Sequence, residues 1–248
     1  MKLKHITFTG VDSKTGIDRL VEIQREYPMA EFGILASKHW NENGPRYLNP
    51  SLIHKFYDKK LNLALHLCGS IASNAAEGLW GEVDNLIDRN LEIFKRIQLN
   101  IANRTDTPTY CWAPPIFSIP IEQEIIIQQK DTINDSILKN TIEKWKEYEW
   151  NKCTLSVLID GSGGQGIDTG IQLYHYDGCV GYAGGFNPEN CADKLTYIYE
   201  NVSGDFWIDM ESGVRTDDYF DLDKVVSVLE TCKPIMEKYD GTKGSTIL

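Results

Sequence analysis

The chain has 248 residues, an apolar share of 42% and a formal net charge of -11. Such a length suits one (β/α)8 barrel, a fold of about 250 residues built as a single domain around one large core. Acidic residues scattered along the chain disfavour nucleic acid or an anionic membrane as a partner, so an anionic ligand would need a local pocket of its own.

Met1-Lys2-Leu3-Lys4-His5 runs directly into a strand pattern without a leader-like apolar region, and no apolar stretch approaches ~18 residues. A soluble, cytoplasmic protein is the expectation. Strands are predicted near His5–Gly10, Glu31–Ser37, Leu61–Gly69, Lys95–Ile101, Ile125–Gln129, Thr154–Asp160, Val180–Gly184 and Phe206–Met210. Helical patterns fall between them at Gly16–Tyr27, Pro50–Lys59, Asn85–Phe94, Asp135–Trp150, Pro188–Glu200 and Asp223–Tyr239, several opened by Ser, Asn, Asp or Pro. Alternation of this kind predicts an α/β TIM barrel over residues 1–240, followed by a loose glycine-containing tail at 241–248. Two long connections, Lys38–Asn49 and the aromatic, proline-rich Ala102–Glu124, are of the length that covers a barrel mouth. None of the six cysteines forms a C-x-x-C pair, and all are read as reduced thiols.

Inward residues alternate along a barrel strand, and the last of them reaches the carboxyl-end face where barrel enzymes do their chemistry. In the third strand Asn62, Ala64, His66 and Cys68 share the inner face; in the fourth, Arg96, Gln98 and Asn100 do; in the first, Thr7 and Thr9. Asp160 ends the sixth strand, placed either for acid or base work or to cap the following turn through its side chain. His66 is either a base or a hydrogen-bonded core histidine, and Cys68 either a nucleophile or a small buried hydrophobe. Glycine turns after the sixth, seventh and eighth strands put Gly163, Gly164, Gly184, Gly185, Ser212 and Gly213 where exposed backbone amides bind phosphate.

Four segments resemble phosphoribosylanthranilate isomerase, a (β/α)8 enzyme of tryptophan biosynthesis: Leu158–Gly166, Tyr182–Asn190, Ile208–Val214 and Gly44–Pro50. The resemblance implies that Asp160 is the general acid that opens the ribose ring in an Amadori rearrangement. It also implies that Arg46 grips the anthranilate end, and that Gly164, Gly184, Gly185, Ser212 and Gly213 hold the phosphate. The first strand departs from the family: its cysteine, the general base, is Thr9 here. An aliphatic hydroxyl has no accessible ionised form near neutral pH without special activation, so the base role falls to another group, with Cys68, His66 and Asp12 as candidates. The fourth-strand QLHG of the family becomes Gln98-Leu99-Asn100-Ile101, and Glu211 replaces a serine. The expected function is an isomerase of a phosphoribosyl amine, with no cofactor or metal and a monomeric or homodimeric state. The alternative is an inactive barrel that binds or sequesters a phosphorylated sugar or nucleotide.

Overall fold

Short apolar runs bounded by glycine, proline and polar residues become eight parallel strands in the computed structural model, which describes residues 2–38, 45–76, 79–86, 91–100, 123–129, 154–163, 165–174 and 178–241. They are β1 (Leu3–Thr9), β2 (Ala30–Ala36), β3 (Leu63–Cys68), β4 (Arg96–Asn100), β5 (Glu124–Gln129), β6 (Thr154–Asp160), β7 (Val180–Ala183) and β8 (Phe206–Met210). Each pairs with the next, and β8 returns to β1 with Thr7 opposite Asp209, closing a TIM barrel. Every functional strand end therefore opens on one face.

The outer layer is apolar because each strand sends one set of side chains towards the helices. Leu63, Leu65 and Leu67 of β3 are buried in this layer, and helix α1 (Ile17–Glu26) contributes Leu20 and Ile23. Inside the barrel the composition is unusual. Arg96 pairs with Glu31 at 2.8 Å and Glu124 at 3.1 Å, lies 4.2 Å from the Trp207 ring, and shares Glu31 with the Thr7 hydroxyl. Buried pairing of this quality offsets the desolvation of three charges. Above this layer Ile126, Leu158 and Trp207 form a small apolar plug. Gly181 makes room for it: a Cβ there would lie 2.2 Å from the Trp207 ring.

Several connections differ from expectation. Pro50–Lys59 is helical over the expected residues, as a 3-10 helix opened by the Asn49 side chain, which accepts from Ser51 N at 3.0 Å. After β3 the chain forms α2 (Ser70–Ala76) and α3 (Gly81–Leu86), and of the helix predicted over Asn85–Phe94 only the 3-10 turn Leu91–Ile93 appears after α3 among the described residues. Asn62 precedes β3 instead of facing the interior, and its amide donates to Pro28 O and Ala30 O. Helix α4 (Cys191–Asn201) starts three residues later than predicted, because the Asn187 side chain accepts from Glu189 N and Asn190 N and holds a turn first. A two-stranded ribbon, β9 (Arg215–Thr216) and β10 (Tyr219–Phe220), precedes the last helix, α5 (Leu222–Gly241). The predicted helix Asp135–Trp150, the body of the Ala102–Glu124 connection and the 242–248 tail lie outside the described residues. Cys68, Cys179, Cys191 and Cys232 are free thiols, and no helix among the described residues is long and apolar enough to cross a membrane.

Candidate active site

A cavity opens at the carboxyl ends of the strands, and its walls carry most of the residues singled out from sequence: Thr9, Arg46, His66, Gln98, Asn100 and Asp160 among them. Asp160 is the last residue of β6 and is buried. One of its oxygens accepts from Ser162 N at 3.0 Å and Ser162 Oγ at 2.7 Å, while the other accepts from Gln128 Nε2 at 2.6 Å. The turn-capping arrangement and a cavity-facing carboxylate thus coexist in one side chain.

Opposite stands a residue to which the sequence reading assigned no role. Asp209 of β8 lines the same cavity and accepts from Thr9 Oγ1 at 2.8 Å. Burial pushes its carboxyl up to about 7; the Thr9 hydrogen bond works against that rise, and repulsion from the Asp160, Glu31 and Glu211 carboxylates adds to it. The signal was available: Trp207 and Asp209 alternate on one face of β8, as Thr7 and Thr9 do on β1. Inward parity alone would have placed Asp209 at the cavity.

The other candidates for a base sit less favourably. Burial pushes the Cys68 thiol up to about 11, so it keeps its proton at neutral pH, and Cys68 does not line the cavity. Its sulfur accepts from Asn100 Nδ2 at 3.5 Å. His66 lies in the cavity floor with its imidazole lowered to about 4 by burial, hence neutral. Asp12 is used structurally: its carboxylate accepts from Phe220 N at 2.7 Å and Lys14 N at 2.9 Å, tying β10 to the end of β1.

Of the phosphate candidates, Gly184, Gly185 and Ser212 line the cavity. Gly184 and Gly185 have φ of +118° and +67°, backbone that an L side chain adopts only with strain. Gly163 turns the chain after β6 but is not among the lining residues. Gly213 is packed so closely that a Cβ would lie 1.9 Å from Phe186 O. Gly164 lies outside the described residues. Lys194 of α4, which the sequence reading passed over, brings a cation to the turn after β7, donating to Gly184 O and to Asp168 at 2.7 Å each.

Arg46 stands at the rim, held at 2.9 Å by Asp218 and at 3.4 Å by Glu211. Arg215 donates to Gly10 O at 2.9 Å and Asp218 O at 2.8 Å and lies 3.7 Å from the same Glu211 carboxylate. Among the described residues no group of three His, Cys, Asp or Glu side chains converges as a metal-ligand set.

No protein-family model matches the chain, and no curated protein matches it by sequence. Solved structures do. N-(5'-phosphoribosyl)anthranilate isomerase from Pyrococcus furiosus superposes with a TM-score of 0.51 at 14% identity, over 93% of this chain and 98% of that one. A truncated 3-deoxy-D-arabino-heptulosonate 7-phosphate synthase from Thermotoga maritima gives 0.50 at 10% identity, over 96% and 88%. At such identities the likeness establishes the barrel fold and nothing finer.

Proposed function

We propose that this chain isomerises a phosphoribosyl amine by an Amadori rearrangement, with Asp160 and Asp209 as the acid–base pair. The observation that carries the proposal is two buried carboxylates, at the ends of β6 and β8, facing one cavity beside the glycine turn of β7. The reaction needs an acid to protonate the ring oxygen, so that the furanose opens to a Schiff base, and a base to remove the proton from the neighbouring carbon. Asp160 takes the acid role by its resemblance to the family motif. Asp209, with a carboxyl near 7, is a stronger base than an ordinary carboxylate and is still partly ionised at neutral pH. The proton taken from carbon and the one delivered to oxygen leave the overall composition unchanged, as an isomerisation requires. Thr9 occupies the position of the family's cysteine as a positioning residue: its hydroxyl orients the Asp209 carboxylate rather than reacting. Gly184, Gly185 and Ser212 would take the phosphate, with Lys194 behind the turn holding Gly184 O.

The test is turnover of the phosphoribosyl derivatives of anthranilate and of its amide, followed by loss of arylamine fluorescence. Asp160→Asn and Asp209→Asn should each lower kcat by ~10²–10⁴-fold while ribose 5-phosphate still binds. Full turnover in either variant removes that residue from the mechanism. Thr9 in place of a cysteine favours a second reading, an inactive barrel that sequesters a phosphorylated sugar or nucleotide. Tight ribose 5-phosphate binding, with no turnover of either amine by the parent protein, would select it.

A further inference from the structure

The proposed isomerase needs a group attached to the sugar, and the cavity has features that discriminate between kinds of group. Its described lining holds three carboxylates, Asp160, Asp209 and Glu211, and a single cationic side chain, Arg46. That arginine is already engaged by Asp218 and Glu211. A carboxylate-bearing aglycone would have to compete with two resident carboxylates for it, at a rim where the Glu211 carboxylate is itself an acceptor without a proton to give when ionised.

The floor is built differently. Gln98 donates its Nε2 to Asn100 Oδ1 at 2.8 Å, which commits the amide and leaves Oε1 as an acceptor without a protein partner. His66 Nε2 is likewise buried without a partner. Both residues are about 98–99% buried, at 2% and 1% exposure, and both line the cavity. Gly33 packs close beside this nitrogen: a Cβ there would lie 2.7 Å from Thr9 Oγ1 and 3.1 Å from His66 Nε2, so no side chain from β2 fills that place. Buried polar atoms normally find partners, and two orphans on residues that line one cavity are groups a ligand can complete.

We infer that the cavity selects an uncharged amide or amino-heterocycle as the group carried by the phosphoribosyl moiety, and discriminates against an aromatic carboxylate. This rests on the function proposed above. A carboxamide or amino-heterocycle gives an N–H to Gln98 Oε1 and, holding both donor and acceptor, completes His66 Nε2 in either imidazole tautomer. A carboxylate offers only acceptors, so Gln98 Oε1 would face another oxygen without a proton between them. Sites that hydrogen-bond a ligand discriminate strongly against an analogue that leaves their buried groups unpaired.

Three non-isomerising probes separate this inference from the reading beneath it: ribitol 5-phosphate alone, and the ribityl 5-phosphate derivatives of anthranilate and of anthranilamide. Binding is measured by calorimetry. All three should bind, with the amide at least ~10-fold tighter than the carboxylate. In Gln98→Leu, which keeps the volume but removes the acceptor, the preference should shrink to within ~3-fold. Asp218→Asn lies outside the cavity lining and removes one of the two negative charges that compete for Arg46; it should raise affinity for the carboxylate probe several-fold and leave the amide probe unchanged. Equal or tighter binding of the carboxylate by the parent overturns the inference while leaving the isomerase proposal standing. So does an amide preference that survives in a folded Gln98→Leu. Failure of every probe to bind overturns the phosphoribosyl reading itself, and the inference with it.

Discussion

Thr9 pulls the Asp209 carboxyl down through its hydrogen bond, against the burial that pushes it up to about 7. Removing the hydroxyl should release that restraint. In Thr9→Val the ionisation of Asp209 moves to higher pH, so the ascending limb of kcat/KM should shift upward by about one pH unit, with the maximum rate retained in part. An unshifted limb would mean that another group sets it. Folding stability carries the same signature. The native carboxyl of Asp209 lies above its ordinary value of 3.8, so the native state holds a proton that the unfolded chain releases between pH ~4 and ~7. Its contribution is fully present below pH ~4 and lost as pH rises through ~7, an effect on the order of a few kcal/mol. His66 works in the opposite direction. Its imidazole is lowered to about 4, so the stability it contributes is lost as pH falls from ~6.5 to ~4. The two overlap, and only the difference isolates Asp209. Chemical denaturation of the parent and Asp209→Asn across pH 4–8 should show the variant gaining relative stability as pH rises; parallel curves would place the titration elsewhere.

At the scale of the element, the turn after β7 depends on backbone that only glycine adopts easily. Gly185 has a φ of +67°, and a Cβ there would lie 2.7 Å from Asp168 N and Cα. Gly185→Val should therefore abolish ribose 5-phosphate binding while leaving the far-ultraviolet circular dichroism intact, because the strands on either side keep their pairing. Unchanged affinity in that variant would move the phosphate away from this turn. The strand layer below has a different task. Arg96, Glu31 and Glu124 tie β4, β2 and β5 together inside the barrel, where a conventional layer would use branched apolar side chains. Their charges also reach the site: Glu31 raises the Asp209 carboxyl, and Arg96 adds to the lowering of the His66 imidazole. Layer and chemistry are thus coupled electrostatically without contact.

For the whole molecule, a net charge of -11 surrounds a cavity whose described lining holds more carboxylates than cations. Ribose 5-phosphate affinity should consequently respond to the titration of Asp209. As pH rises from 6 to 8 the parent gains a negative charge in the cavity and should lose affinity relative to Asp209→Asn, in which that charge never forms. A constant ratio between the two proteins would show that Asp209 does not feel the bound phosphate. By itself the sequence determined the strand count, the parallel closure and the face on which the site lies. Those follow from the local period of apolar residues and from turn chemistry, which neighbouring residues set. Asp160, the Gly184-Gly185 turn and the inward parity of His66, Gln98 and Asn100 were legible for the same reason. The 3-10 geometry after β2 and the short ribbon before α5 were not, because neither carries an apolar period of its own; nor was the structural use of Asp12, whose partner Phe220 N is 208 residues away in the chain. Only the tertiary structure paired Thr9 with Asp209 across 200 residues, buried both, and thereby moved a carboxyl into the neutral range. It also put Asp218 and Glu211 on Arg46, so that an arginine expected to grip a ligand is already engaged by the protein. Desolvation and long-range pairing are properties of the folded neighbourhood, and no local pattern encodes them.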